Sequence, residues 1–406
     1  MANQFQSITS GLAELKNFYE GPIVDLFNEE LPVLRGAEKV KKGWSGFQVV
    51  RPLRTNRNQG IGAVTDGGTL PAIGRQASQQ ALIVAKFNYL RFGVTGPMIK
   101  ASQGNVGSFV RSAAYELEMG YKDLKSDVNR QLSWSGNGTL ASLSANASAS
   151  VSITLAGRES VEPALKFIDT GLVFDIYTSA GVLVQSAVTV SSISSGTPES
   201  ATAVIVCDQP VTASATNVLV RANSFGNEIQ GLLTTLDGAT TTVYNINRAT
   251  TLSYQGNVLA AGGAVFSLDG IQNIMNRMMR RGGGKPSAFY CDYDTQRMYQ
   301  KLLTADKRYV NSMQGDGGFA AKGESYLSFN GLPIVADKDC PQRLFCLDQD
   351  SWKQYVLAEL EFADETGSMY IAQVSQDVFE VRIRYFANLF CESPAANAVY
   401  SGYVSP

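Results

Sequence analysis

Residues 105–132 constrain the fold more than any other stretch of the chain. Phe109, Ala113, Leu117, Tyr121, Leu124, Val128 and Leu132 recur every three or four positions, with Arg111, Glu116, Glu118, Lys122, Asp123, Lys125, Asp127 and Arg130 between them. One apolar stripe and one charged face predict an amphipathic helix, about 40 Å long at the usual rise per residue. It should end in "SWSGNG", where Gly136 and Gly138 stop it. The texture then changes abruptly. No charged residue occurs from Gln131 to Gly157, and only nine occur between Ser133 and Arg221. The short runs "LVFDIYTS", "VLVQSAVTVSSI", "ATAVIVCD" and "NVLVRA" are β-like and separated by turn residues. Residues 145–225 therefore read as an inserted all-β module, a small barrel or sandwich.

Upstream of the long helix, residues 9–34 keep helical apolar spacing through Leu12, Leu15, Phe18, Tyr19, Ile23, Leu26, Phe27 and Leu31, with a break expected at Pro22. Residues 46–100 read as a long hairpin. "FQVVRPLRTN" and "ALIVAKFNYLRFGV" are its β-rich runs, and the Gly-dense "QGIGAVTDGGTLPAIGRQ" joins them. A connection of that length is usually functional or mobile. Downstream, "SLDGIQNIMNRMMRR" predicts a helix with Leu268, Ile271, Ile274, Met275, Met278 and Met279 inward. "PSAFYCD" reads as a strand, "YDTQRMYQKLLT" as a second helix, and "VFEVRIRYF" as a half-buried strand.

Several chemistries are excluded or weakly supported. The 406 residues contain no histidine, which removes every His-based triad and every His-ligated metal. The five cysteines, Cys207, Cys291, Cys340, Cys346 and Cys391, include no C-x-x-C pair and read as buried thiols of a reducing compartment. "RRGGGKPS" at 280–287 is not a phosphate-binding loop. Met279 stands where the first glycine belongs, Pro286 replaces the Mg²⁺-binding Ser or Thr, and the helix precedes the loop instead of following it. Gly282, Gly283 and Gly284 read as a helix C-cap, with Arg280 and Arg281 complementing the helix dipole. "DYDTQ" and "LDQDSW" lack the ordered ligands of an EF-hand and read as capping or surface carboxylates. No catalytic, cofactor-binding or metal residue is assigned. The N-terminus lacks a secretory pattern, and no run of about 18 apolar residues occurs, so a soluble chain made in a cytoplasm is expected.

Charge is uneven along a chain of net charge −2. Residues 35–100 carry eleven basic and two acidic residues, whereas 337–392 carry eleven acidic and five basic. The basic hairpin is therefore expected to lie on an acidic surface of another subunit. The residues for that contact are Arg51, Arg54, Arg57, Arg75 and Lys86 on the hairpin, with Glu116, Glu118, Asp123 and Asp127 on the long helix among the acceptors.

The order of these textures resembles the major capsid protein of tailed bacteriophages, whose α+β fold is shared with encapsulins and the herpesvirus capsid floor. "LKNFYEGPIVDLFNEELPVLRG" resembles the N-terminal arm and "GFQVVRPLRTNRNQG…ALIVAKFNYLRFGV" the extended β-hairpin loop. "VRSAAYELEMGYKDLKSDVNRQLSWSGNG" resembles the spine helix of the peripheral domain, and "SLDGIQNIMNRMMRRGGGKPSAFYCDYDTQRMYQKLL" the axial domain. "YFANLFCESPAANAVYSGY" resembles the closing strand of the peripheral domain. The resemblance implies an arm at 1–45, an extended loop at 46–100, the peripheral domain with its spine helix at 101–144 and the β insertion at 145–225. It places the axial domain with peripheral returns at 226–375 and the closing strands at 376–406. It also implies a virion protein, assembled in a host bacterial cytoplasm as hexamers and pentamers of itself. Its partners would be a separate scaffolding protein, a portal, a decoration protein and weakly held double-stranded DNA, with no membrane and no cofactor. Some members form Lys–Asn crosslinks. Here Lys86 lies in the hairpin, but the tip, 59–76, holds Arg75 and no lysine, so the loop lysine such a crosslink needs is missing from the tip. With the arm beginning almost at Met1, an internal scaffold segment is not expected either. An encapsulin-like compartment and an enzyme built on a carboxylate pair are the alternatives.

Overall fold

A computed structural model describes residues 38–97, 112–303, 327–362, 371–372 and 376–406, apart from 42, 45, 160, 161, 239 and 240. The arm expected at 9–34 lies outside the described residues, as does the start of the long helix.

The described chain begins with β1 (Glu38–Val40), β2 (Gln48–Asn56), β3 (Ala77–Val84) and β4 (Lys86–Thr95), then α1, described over Ser112–Ser133. Six strands follow: β5 (Thr139–Leu143), β6 (Ala147–Ala156), β7 (Val173–Tyr177), β8 (Leu183–Ser195), β9 (Thr202–Ala213) and β10 (Val218–Arg221). Next come α2 (Leu232–Leu236), the small hairpin β11 (Thr242–Val243) and β12 (Ile246–Asn247), β13 (Asn257–Ala260) and α3 (Leu268–Gly282). The remainder is β14 (Ala288–Cys291), α4 (Tyr293–Leu303), β15 (Leu327–Phe329), β16 (Leu332–Ala336), β17 (Leu344–Leu347), β18 (Trp352–Phe362), β19 (Ile371–Ala372), β20 (Val378–Cys391) and β21 (Ala398–Ser401).

Strand β20 organises the first sheet. It pairs antiparallel with β18 and β19 on one side and with β4 on the other, and β1 adds in parallel to β18. Helix α1 lies on this sheet. Leu124, Val128, Leu132 and Trp134 share a buried core with Val356, Ile383, Tyr385, Ala387 and Leu389. The close approach has a sequence cause. A Cβ at Gly120 would meet the terminal methyl of Leu90 on β4 at 2.6 Å, so a larger residue at this turn would need the Leu90 side chain to shift. Arg130, expected on the charged face, is instead buried.

The uncharged stretch forms a closed antiparallel barrel in the order β10-β5-β6-β9-β8-β7. Alternate positions fill it, among them Leu140, Ile153, Leu155, Phe174, Ile176, Val188, Val190, Ile205 and Leu219. Closure removes the exposed edges that such Ser- and Thr-rich strands would otherwise present. The barrel spans Thr139–Arg221 rather than 145–225, because its first strand begins directly after the glycine turn that ends α1.

A mixed six-stranded sheet, β13-β21-β17-β14-β16-β15, forms the third layer. Ile271, Ile274, Met275 and Met278 of α3 pack on Phe289, Cys346 and Tyr400. Met279 and Leu268, expected inward, are exposed at 47 % and 40 %. The apolar run on α3 is wider than the face the sheet can cover. Strand β21 belongs to this sheet, not to the one built on β20, so the expected return of 376–406 to a single domain is divided between two sheets.

"RRGGGKPS" is a cap. Ser267 opens α3 by accepting from the Gly270 amide at 3.1 Å, and Gly283 closes it at φ +61° with its amide on Met279 O. Strand β14 then follows, the reverse of a phosphate loop.

Candidate assembly surfaces

Strands β2 and β3 form a two-stranded ribbon in register Gln48↔Val84 through Asn56↔Ala77. The hairpin expected over 46–100 is shorter than the sequence suggested. Its second run divides at the buried Ala85, and Lys86–Thr95 turns away as β4 to pair with β20. The foot of the ribbon is anchored by Val49, Ala81 and Ile83 against Tyr244, Ile246, Tyr254, Tyr355 and Phe390. Beyond it, residues 57–76 connect the strands without regular structure. Four apolar side chains there, Ile61, Val64, Leu70 and Ile73, face solvent, Ile61 at 86 % and Leu70 at 77 %. A two-stranded ribbon is marginal on its own in water, and apolar groups clustered at its end mark a contact surface.

The expected contact residues divide into two groups. Arg51 is used within its own chain: its guanidinium meets Glu392 at 2.6 Å, and this hydrogen bond raises its pKa. Sequence reasoning does not single out Glu392, although it lies in the acidic last third. Lys86 Nζ donates to the Gly226 carbonyl at 2.7 Å, and burial lowers its pKa. Asp127 is also committed internally, to Arg130 at 3.0 Å and Arg221 at 3.4 Å. Burial works against its charge, but the two guanidiniums hold its carboxyl well below the usual range. Glu118 pairs with Lys122 at 3.3 Å along the helix. Asp123 stays exposed on α1, and the Glu116 side chain is outside the described residues. By contrast, Arg54, Arg57 and Arg75 are exposed and form no ion pair with a carboxylate among the described residues.

A buried polar joint, not legible in the sequence, fastens the barrel to the helix. Arg130 meets Glu228 at 2.5 Å and Asp127 at 3.0 Å. The Arg158 guanidinium lies 4.0 Å from the Trp134 ring centroid and donates to Ser135 and Thr139 O. On the other side of α1, Asn129 bridges Asp337 at 2.8 Å and Asp339 at 3.1 Å. Burial, helped by the Asp339 charge, pushes the Asp337 carboxyl up to about 6. The only sequence signal for this joint is the clustering of polar residues near the helix end, which reads equally as a solvated face.

The remaining chemistry is structural. All five cysteines are buried, and burial pushes the Cys207 and Cys346 thiols to about 11 and about 12, far from a reactive thiolate. Asp292 caps α4 through the Thr295 amide at 3.1 Å, and Asp348 accepts from the Lys285 amide at 3.2 Å. Among the described residues, no group of three or more Cys, Asp and Glu could hold a metal ion. No helix among them is long and apolar enough to cross a membrane.

A sheet backed by a long helix, a second mixed sheet with its own helices and a projecting ribbon define the fold of tailed-phage capsid proteins, and known structures match it over nearly the whole chain. A chain of the cyanophage A-1(L) capsid asymmetric unit superposes with a TM-score of 0.59 at 12 % identity, covering 95 % of this chain and 96 % of that one. The capsid of a native GTA particle gives 0.53 at 10 % identity, covering 98 % and 99 %. The capsid of the Myoviridae phage XM1 gives 0.50 at 9 % identity, covering 96 % and 97 %. No protein-family profile and no curated protein sequence matches the chain.

Proposed function

We propose that this chain is the repeating structural subunit of a capsid, closing as hexamers and pentamers into an icosahedral shell around double-stranded DNA. The observation that carries this reading is the β2–β3 ribbon. It is rooted in the core by Val49, Ala81 and Ile83, yet it ends in exposed Ile61, Val64, Leu70 and Ile73 that no other described residue of its chain covers. A neighbouring copy would cover them. On this reading Arg54, Arg57 and Arg75 meet carboxylates of that neighbour, with Asp123 and Glu116 as candidate partners. The barrel, whose strands are nearly free of charge, faces outward, away from packaged DNA. A scaffolding protein, a portal and a decoration protein belong to the same reading. Sedimentation of the purified full-length protein tests it: large, closed particles are expected, alone or with a scaffold, and a monomer that persists at high concentration under both conditions contradicts it.

A further inference from the structure

Between α1 and the β20 sheet lies a cavity of about 300 Å³, lined by Lys39, Tyr121, Lys125, Val128, Val356, Glu359 and Tyr385. Its floor is apolar and aromatic. Its charge is positive in balance, because Glu359 is already neutralised by Lys41 at 2.9 Å, while Lys39 and Lys125 form no ion pair among the described residues. Tyr121, a member of the apolar stripe read from the sequence, is left 41 % exposed here. Tyr385 accepts from Gln354 Nε2 at 2.7 Å, and the fully buried Gln354 Oε1 has no hydrogen-bond partner. The apolar packing between helix and sheet is therefore incomplete at this place, beside Lys39 and Lys125.

One part of the chain has the matching chemistry. Residues 17–34 contain no basic residue and four acidic ones, Glu20, Asp25, Glu29 and Glu30, interleaved with Ile23, Leu26, Phe27 and Leu31. The described chain begins at Glu38, next to the cavity-lining Lys39, so this segment is tethered at the cavity's edge. Ten residues lie between Phe27 and Glu38, which makes eleven Cα-to-Cα steps. Such a tether can span roughly 36 Å when extended, enough to double back across the cavity. A short tether also supplies an effective concentration on the order of millimolar.

We infer that the cavity is the docking site for the acidic, aromatic segment around Asp25–Glu30 of the same chain. An apolar side chain such as Phe27 seats against Tyr121, Val128, Val356 and Tyr385, and the flanking carboxylates pair with Lys39 and Lys125. The inference stands apart from shell formation, since it concerns the free subunit.

Hydrogen exchange of the full-length free subunit, read peptide by peptide, tests it. Amides of residues 23–31 should be protected in the wild type, to the same degree after dilution. The pair K39E and K125E should exchange severalfold faster there, while barrel strands keep their wild-type protection as the control for folding. Adding E29K and E30K to that pair should restore protection. Three results overturn the inference: no protection of 23–31 in the wild type, protection unchanged by the lysine reversals, or protection that fades on dilution, which would assign the site to a second copy.

Discussion

The Arg130 guanidinium meets the Glu228 carboxylate at 2.5 Å, with both side chains 3 % exposed. This pair pins the end of α1 to the segment that leaves the barrel. Burial works against the Arg130 charge, and Asp127 and Glu228 more than reverse that effect. The pair is a joint between two modules whose cores are separate. Asp127 is the third member of this cluster, held by Arg130 at 3.0 Å and by Arg221 at 3.4 Å, so removing Glu228 alone leaves two guanidiniums facing one carboxylate.

Glu228→Ala should accordingly lower the subunit's stability by about 1–3 kcal/mol, whereas replacing Arg130, Glu228 and Asp127 together by apolar residues should cost less than the sum of the single losses. Chemical denaturation of the wild type, the single variants and the triple variant makes the comparison. A loss in the triple variant equal to the sum of the three single losses would show that the charges do not act as one cluster.

Asp337 predicts a pH dependence. Its carboxyl is raised from the usual carboxylate value to about 6 by burial and by Asp339. The protonated form is thus favoured by the fold, so the contribution is fully present below about pH 4 and is lost as pH rises through 6. Its size is about 2–3 kcal/mol, because a tenfold change in proton affinity corresponds to about 1.4 kcal/mol. Comparing denaturation at pH 4.5 and pH 7.5, Asp337→Asn should show a smaller loss of stability on raising the pH than the wild type. An identical loss in both proteins would place the dependence elsewhere.

The glycine cap gives a contrast within three residues. Lys285→Ala should change stability by no more than about 0.5 kcal/mol, as is usual for a surface substitution, because only the Lys285 amide is engaged, on Asp348. Gly282→Val should prevent normal folding, because any Cβ there would overlap the Ala395 carbonyl. Soluble yield and urea midpoints check both. Tight, Lys285-dependent nucleotide binding would contradict the cap.

How much of this was legible in the sequence depended on whether a signal was local. The long helix and the β texture of the barrel rest on periodicity and composition, and both are present. The α3 cap rests on a run of glycines and a failed motif, and it too is as read. The sequence over-extends the hairpin because β3 and β4 follow one another as a single β-rich stretch, "ALIVAKFNYLRFGV", with no turn residue at the break. Only pairing with β20, nearly three hundred residues away, turns the chain at Ala85. Arg51 is indistinguishable in the sequence from Arg54 and Arg57 for the same reason, since a charge count cannot show that Glu392 comes back to meet it. Arg130 looked solvated because its partner, Glu228, arrives after the whole barrel.

The hairpin arginines can be separated by experiment. Charge reversal at Arg54, Arg57 and Arg75 should reduce particle yield and salt tolerance while leaving the free subunit's stability unchanged. Arg51→Glu should instead act on the subunit itself. The loss of its partly exposed pair with Glu392 should amount to about 0–1 kcal/mol. Normal particles from the triple variant would show that those arginines do not serve assembly.

The most direct measurement of the central claim is electron cryomicroscopy of the particles formed by the purified full-length protein. Icosahedral shells are expected in which the β2–β3 ribbon of one subunit lies across its neighbour, which covers Ile61, Val64, Leu70 and Ile73. Reconstructions showing only monomers, or shells in which those four side chains remain in solvent, would contradict it.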